Sequence, residues 1–236
     1  MARLLFLLAA LFAPTLAAAS PKAVVELFTS QGCSSCVPAD RYFEDLVRRE
    51  DVLALSFHVD YWDYLGWVDT LGDPANTARQ RDYAEVRGSR RIYTPQIVVN
   101  GSADIVGGHR EAIEAAIGRA ALPVPVEMWR HDGKVEIEVA ARPLPRPWPT
   151  TIRLVLFSTE AEVEIARGEN AGAKIAYYNV VRAMRPIGMW DGAAVNITLP
   201  GDELMGDGVD GCAVIVQEDL PNGPGRILGA AQIGRW

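Results

Sequence analysis

Cys33 and Cys36 are separated by two serines, where an apolar β pattern (Val24, Val25, Leu27, Phe28) gives way to a helical one. A helix N-terminus exposes unpaired backbone N–H groups and carries about half a positive charge, which favours a thiolate over a thiol. The Cys-Ser-Ser-Cys spacing also suits a disulfide that opens and closes with little backbone movement. The chemistry on offer is thiol–disulfide exchange. Cys33 follows Gly32 and lies nearest the helix start, so it is the expected attacking thiolate; Cys36, one turn in, is the expected resolving thiol.

The elements that must hold this pair follow from periodicity. Ala23 to Thr29 reads as a strand, Cys33 to Arg49 as a helix with Ala39, Phe43, Leu46 and Val47 as its buried stripe, and Leu53 to Val59 as a second apolar strand. Asp73-Pro74 opens a helix over Ala75 to Arg87. Gln96 to Val99 and Ala103 to Val106 form a hairpin about Asn100-Gly101, and Glu111 to Ala121 is a small-residue helix. Two parallel strands joined by a helical crossover end on the same sheet edge, where ligands gather. That places His58, Asp60 and Trp62, after the second strand, on the edge that carries the cysteines. His58 and Asp60 read either as proton-transfer or surface groups or as hydrogen-bonded strand ends. The aromatic run Tyr61, Trp62, Tyr64 and Trp67 reads either as a groove for an extended peptide or as packing against a neighbouring domain.

The order β-α-β-α-β-β-α, with Cys-x-x-Cys after the first strand, resembles the thioredoxin and glutaredoxin arrangement. In that arrangement a cis-proline faces the cysteines. The resemblance puts it at Pro95, in Tyr93-Thr94-Pro95-Gln96, with Thr94 and Trp62 as substrate-binding positions beside His58. It also implies an acid beneath the pair that helps deprotonate the second thiol. Glu26, the odd residue in an apolar strand, fits that role; an edge position reaching solvent and a structural ion pair are the competing readings. Val25 to Cys36 with Pro38-Ala39-Asp40, His58 to Trp62, Leu65-Gly66-Trp67, Arg79-Gln80 and Arg167 to Arg182 are together similar to a bacterial family of exported thioredoxin-like proteins, catalogued as a domain of unknown function. Val37 departs from that family, whose members usually carry a second proline there.

Arg3, the apolar run Leu4 to Phe12, Pro14 and Ala17-Ala18-Ala19 form a cleaved secretory signal over residues 1–19, too short to span a bilayer. The expected location is periplasmic or secreted, with no stable membrane insertion. The formal net charge is −7, and loss of Arg3 with the leader makes it −8. Such a balance argues against nucleic acid as a partner. Three cysteines are too few for a disulfide-stapled scaffold. Export lets a disulfide persist, and the expected partners are exported thiol or disulfide proteins.

Pro123 and Pro125 divide a thioredoxin-like domain, residues 20–122, from a mainly-β, sandwich-like domain, residues 123–236. The strand patterns there are Lys134 to Ala140, Ile152 to Phe157, Val163 to Ala166, Tyr177 to Ala183, Val195 to Leu199, Cys212 to Gln217 and Ile227 to Ile233. Cys212 heads an apolar strand and reads as a small buried hydrophobe. Arg167-Gly168-Glu169-Asn170, with Tyr177 and Arg182, reads as a loop that docks on the first domain or touches substrate. The expected fold is thus α/β followed by mainly β, and the expected activity is disulfide exchange through Cys33 and Cys36. No cofactor or metal is called for. Two alternatives stay open: copper handling by Cys33, Cys36 and His58, since soft thiolates suit Cu(I), and a binding module whose disulfide is only structural.

Overall fold

The computed structural model describes residues 20–143, 148–202, 204, 206 and 208–234. The expected leader, residues 1–19, lies outside the described residues. Strand β1 (Ala23–Thr29) and strand β2 (Val52–His58) are buried along their whole length and pair in parallel, with Thr29 opposite His58. Helix α1 (Val37–Val47) connects them, preceded by a 3₁₀ turn at Ser34–Cys36. The predicted helix start at Cys33 is therefore corrected: Cys33 is extended (φ −103°, ψ 106°) and stands just ahead of the turn. Pro38 in the first turn of α1 has no N–H to lose, which suits that position.

Helix α2 (Pro74–Val86) begins as expected, with the Asp73 carboxylate accepting from the Ala75 N–H at 2.8 Å. Strands β3 (Gln96–Val99) and β4 (Ala103–Val106) form the hairpin, and β3 pairs antiparallel with β1. At its turn Asn100 and Gly101 both have positive φ (48° and 66°), the conformation of a two-residue hairpin whose twist matches the strands. A Cβ on Gly101 would lie 2.3 Å from the Gly225 carbonyl oxygen, so no other residue fits there. Helix α3 (Arg110–Arg119) follows.

The second half contributes β5 (Val126–His131), β6 (Lys134–Val139), β7 (Thr150–Glu164), β8 (Lys174–Met189), β9 (Val195–Pro200), β10 (Gly211–Leu220) and β11 (Gly223–Ile233). β5, which periodicity did not mark, pairs with β6, and β6 with β9, in a small antiparallel sheet. The segments expected as separate strands at Ile152 to Phe157 and Val163 to Ala166 are instead corrected to one: β7 runs unbroken to Glu164. Ser158 to Glu162 between them holds no Gly, Pro, Asn or Asp, and past Ser158 the strand alternates half-buried and exposed as an outlying ribbon does.

The fold is mixed α/β. An eight-stranded mixed sheet runs in the order β11-β10-β7-β8-β2-β1-β3-β4 and crosses the boundary expected at Pro123 and Pro125. The seam is β2 against β8, where Ser56 faces Val180, the Ser56 hydroxyl donates to the Tyr178 carbonyl (2.9 Å), and the Asn179 amide donates to the Ala54 carbonyl (2.9 Å). One core joins Val24, Phe28 and Leu55 with Phe157, Ile215 and Tyr83 of α2. On the opposite sheet face α1 and α3 cover Val25, Leu27 and Ile97. The three-stranded sheet lays Val135, Ile137 and Val139 on Leu154, Val214 and Leu228. Residues 154–157 of β7 and 212–216 of β10 are therefore covered on both faces, which is why these segments read as continuous apolar runs.

Candidate functional site

Cys33 and Cys36 are joined in a disulfide at the carboxyl edge of β1. Cys36 is fully buried and Cys33 is 2% exposed, while Ser34 and Ser35 between them face solvent. The Thr94–Pro95 peptide bond is cis, and the Thr94 hydroxyl lies 3.2 Å from Cys33 Sγ as a donor. That hydroxyl in turn accepts from Trp62 Nε1–H at 2.8 Å. The Ser35 hydroxyl is 3.3 Å from the same sulfur. Two hydroxyls thus face the position where charge appears when Cys33 becomes a thiolate, and hydrogen bonds to a charged form stabilise it. Gly107 makes room for Pro95: a Cβ there would meet Pro95 Cβ at 2.8 Å and Ala39 Cβ at 3.2 Å.

Beneath α1, on its side of the sheet, lies a buried polar layer. Side chains alternate along β1, so Thr29 shares the α1 face with Val25 and Leu27, and His58 shares it through its register with Thr29. The Thr29 hydroxyl donates to Asp40 Oδ1 at 2.7 Å, while Asp40 Oδ2 is buried with no hydrogen-bond partner among the described residues. Burial pushes the Asp40 carboxyl up to about 7, against the opposing pull of His58 and the Thr29 hydroxyl. His58 Nδ1 lies 2.9 Å from Asp69 Oδ2, both side chains fully buried, and His58 Nε2 has no partner among the described residues. Burial opposes charge on Asp69, but His58 and the backbone N–H groups of Gln31 and Leu71 outweigh it and hold that carboxyl below its usual range. Tyr177 closes the layer, its ring edge-on to His58 at 4.5 Å.

The loop entering Cys33 is fastened from three sides. The Gln31 N–H donates to Asp69 Oδ2 (2.7 Å), Trp67 Nε1–H donates to Gln31 Oε1 (2.7 Å), and the Asn170 amide donates to the Gln31 carbonyl (2.8 Å). Glu169 Oε2 accepts from the hydroxyl (2.7 Å) and the backbone N–H (3.3 Å) of Ser34, contacts that lower the Glu169 carboxyl. The polar run Arg167 to Asn170 is thus the tip between β7 and β8, seated on the Cys-Ser-Ser-Cys turn. Val37 packs with Trp67 into the apolar cluster formed by Ile165, Ile175 and Tyr177 under that tip.

A family described as a protein of unknown function (DUF1223) matches residues 24–217. The chain belongs to that family. No curated protein matches it. A structural-genomics crystal structure of a protein from Agrobacterium tumefaciens is 34% identical, with a TM-score of 0.81, and the match covers 91% of this chain and 95% of that one. The structure described as HBP35 of Porphyromonas gingivalis shares the fold at 12% identity and a TM-score of 0.65, over 92% of this chain and 76% of that one.

Of the positions singled out by sequence in this family member, Cys33, Cys36, Thr94, Pro95 and Trp62 come together. His58 lies in the layer beneath them, fully buried and paired with Asp69. Asp60 is a strand-end residue whose carboxylate accepts from the Thr77 hydroxyl at 2.6 Å. Glu26 is placed elsewhere. It shares a sheet face with Val24 and Phe28, opposite α1, and its two oxygens accept from Arg79 Nε–H (2.7 Å) and the Tyr83 hydroxyl (2.5 Å). This is the ion-pair reading of that residue. Of the aromatic run, Trp62 and Trp67 serve the site, Tyr61 leans on Trp62 and Tyr64 is 79% exposed. Sequence reasoning missed Asp69 and the role of Asp40. The available signal for Asp40 was a carboxylate next to Ala39 on the buried stripe of α1, four residues after Cys36. Among the described residues no group of three or more His, Cys, Asp or Glu side chains is arranged to hold a metal ion, and no helix is long and apolar enough to cross a membrane.

Proposed function

We propose that this protein is an exported thiol–disulfide exchange protein, in which residues 20–122 form a thioredoxin-like domain braced by a sandwich-like second half. The observation that carries the reading is the Thr94 hydroxyl, on the residue before a cis-proline, at 3.2 Å from Cys33 Sγ at a strand-to-helix junction. The order of elements, the β1–β3 pairing and the apolar leader add support. In the reducing direction Cys33 thiolate attacks a client disulfide and forms a mixed disulfide. Cys36 then attacks Cys33, the Cys33–Cys36 bond forms, and the client leaves with both electrons as a dithiol. Clients are exported proteins with reactive thiols or disulfides.

Replacing Cys36 with Ser tests this reading. The variant, expressed in its own compartment, accumulates mixed disulfides on Cys33, and the Cys33→Ser variant accumulates none. If no mixed disulfide appears and Cys33 titrates near 8.5, as a free cysteine does, exchange is the wrong chemistry. One observation favours a second reading, a binding module with a structural disulfide: Cys33 is 2% exposed, beside a turn held by Glu169. A reduction potential below about −300 mV supports that reading, and a potential near those of exchange proteins, about −120 to −270 mV, supports the first.

A further inference from the structure

We propose that the loop ahead of the cis-proline is a docking surface for clients with acidic residues beside their reactive disulfide, and that Arg90 and Arg91 recognise those residues. This rests on the exchange reading above and names its substrate class. The chain as a whole is acidic, with a formal net charge of −7. The surroundings of the cis-proline are not. Residues 87–95, from the end of α2 to Pro95, hold Arg87, Arg90 and Arg91 and no Asp or Glu. A second segment, Gly107 to Arg110, lies against Pro95 and adds His109 and Arg110; the Gly107 N–H donates to the Pro95 carbonyl at 2.9 Å.

Two of these charges are already answered. Arg87 Nε lies 3.4 Å from Asp104 Oδ2, and Arg110, over the Tyr42 ring at 4.7 Å, is followed by Glu111. Arg90 and Arg91 are exposed, and neither guanidinium has a hydrogen-bond or ion-pair partner among the described residues. Free arginines are ordinary on a solvated loop; position gives these two a task. Arg91 and Arg90 stand three and four residues before Thr94, so their Cα atoms lie within about 11 and about 14 Å of its Cα. The Thr94 hydroxyl is 3.2 Å from Cys33 Sγ. A client segment joined to Cys33 on this side comes within reach of both long side chains.

The Ser34 side of the turn has the opposite character. There the tip between β7 and β8 is already seated, and its Glu169 carboxylate, accepting from the Ser34 hydroxyl at 2.7 Å, repels acidic residues. An acidic segment is thus turned away from the tip and drawn toward Arg90 and Arg91. Opposite charges within a Debye length, about 10 Å at 0.1 M salt, raise the rate of encounter, and the planar guanidinium matches a carboxylate in two hydrogen bonds.

Three synthetic peptides test this on the reduced full-length protein. Each carries one internal disulfide, flanked by Asp and Glu, by Ser, or by Lys. Each rate of reduction is divided by that of the same peptide with dithiothreitol, which removes differences in intrinsic disulfide reactivity. In about 0.01 M salt, where the Debye length is about 30 Å, the acidic peptide should be favoured over the basic one about tenfold. In about 1 M salt, where it is about 3 Å, the preference should shrink below about twofold. Arg90→Glu combined with Arg91→Glu should invert the low-salt preference, an outcome that general damage to the protein does not produce. Equal corrected rates for wild type at low salt, a preference for the basic peptide, or a preference unchanged by the double charge reversal overturns the proposal. Where the double variant does not fold, the wild-type salt dependence decides, and a tenfold preference that survives about 1 M salt overturns it. Reduction of all three peptides no faster than by a free thiol marks failure of the exchange reading itself, and the proposal falls with it.

Discussion

Removing the guanidinium of Arg79 while leaving Glu26 in place tests whether Glu26 holds the fold together. Glu26 is fully buried, and the Arg79 side chain is 11% exposed. The guanidinium donates to Glu26 Oε1 (2.7 Å), the Tyr83 hydroxyl (2.8 Å) and Gln217 Oε1 (3.0 Å), and lies over the Tyr83 ring at 4.9 Å. It therefore ties β1, α2 and β10 together across both halves of the chain. Breaking a buried pair by deleting one partner leaves an uncompensated charge and costs about 3–5 kcal/mol. That is about a fifth or more of the stability of an ordinary domain, about 5–15 kcal/mol. For a chain of this size each kcal/mol moves the Tm by about 2–4 °C, so Arg79→Ala should melt roughly 6–20 °C lower than wild type. Urea denaturation followed by circular dichroism supplies the matching free energy. The combined Glu26→Leu, Arg79→Met variant removes both charges and should recover most of the loss. A cost under about 1 kcal/mol for Arg79→Ala, or no recovery in the double variant, refutes the reasoning.

Thr94→Val removes the hydroxyl that faces Cys33 Sγ, and a hydrogen bond to a charged group is worth about 1.5–3 kcal/mol. The Cys33 pKa in the reduced protein should rise by about one to two units, read from the pH dependence of alkylation; an unchanged value refutes it. Cys212 is fully buried and its thiol is pushed up to about 12 by burial, so native protein should leave it unlabelled by maleimide until denaturant is added. Gly101→Ala should destabilise by about 1–3 kcal/mol in denaturant titration, because φ is positive and the added Cβ meets the Gly225 carbonyl. The folded-state pKa of Asp40 is raised from 3.8 to about 7, so between those values the native protein binds more protons than the unfolded chain, and stability falls as pH rises. In Asp40→Asn that fall should disappear, with the free-energy difference between variant and wild type growing by on the order of 4 kcal/mol from about pH 4 to about pH 7; a constant difference refutes it.

Local rules settled much of this molecule in advance. Apolar runs with Gly, Pro and Asx punctuation were enough for β1, α1, β2, α2, the Asn100-Gly101 hairpin and α3, because each depends on chain-neighbour geometry and on one buried face. Cys33 and Cys36 were legible for the same reason, since a motif at a strand end carries its own address, whereas Thr94 and Pro95 were placed by the resemblance alone. Residues 20–122 and 123–236 could be told apart by composition, yet their sharing of one sheet could not. The β2–β8 seam rests on Ser56, Val180 and the left-handed Asn179, and nothing along either strand announces its partner. The destination of a charged side chain is undetermined in the same way. Glu26 and Asp40 are both acids in apolar settings, and which one meets Arg79 and which one meets a buried imidazole depends on sheet face and on residues 53 and 18 positions away in the chain. Long-range packing made that choice, since desolvation and pairing are properties of the assembled neighbourhood and not of the sequence window.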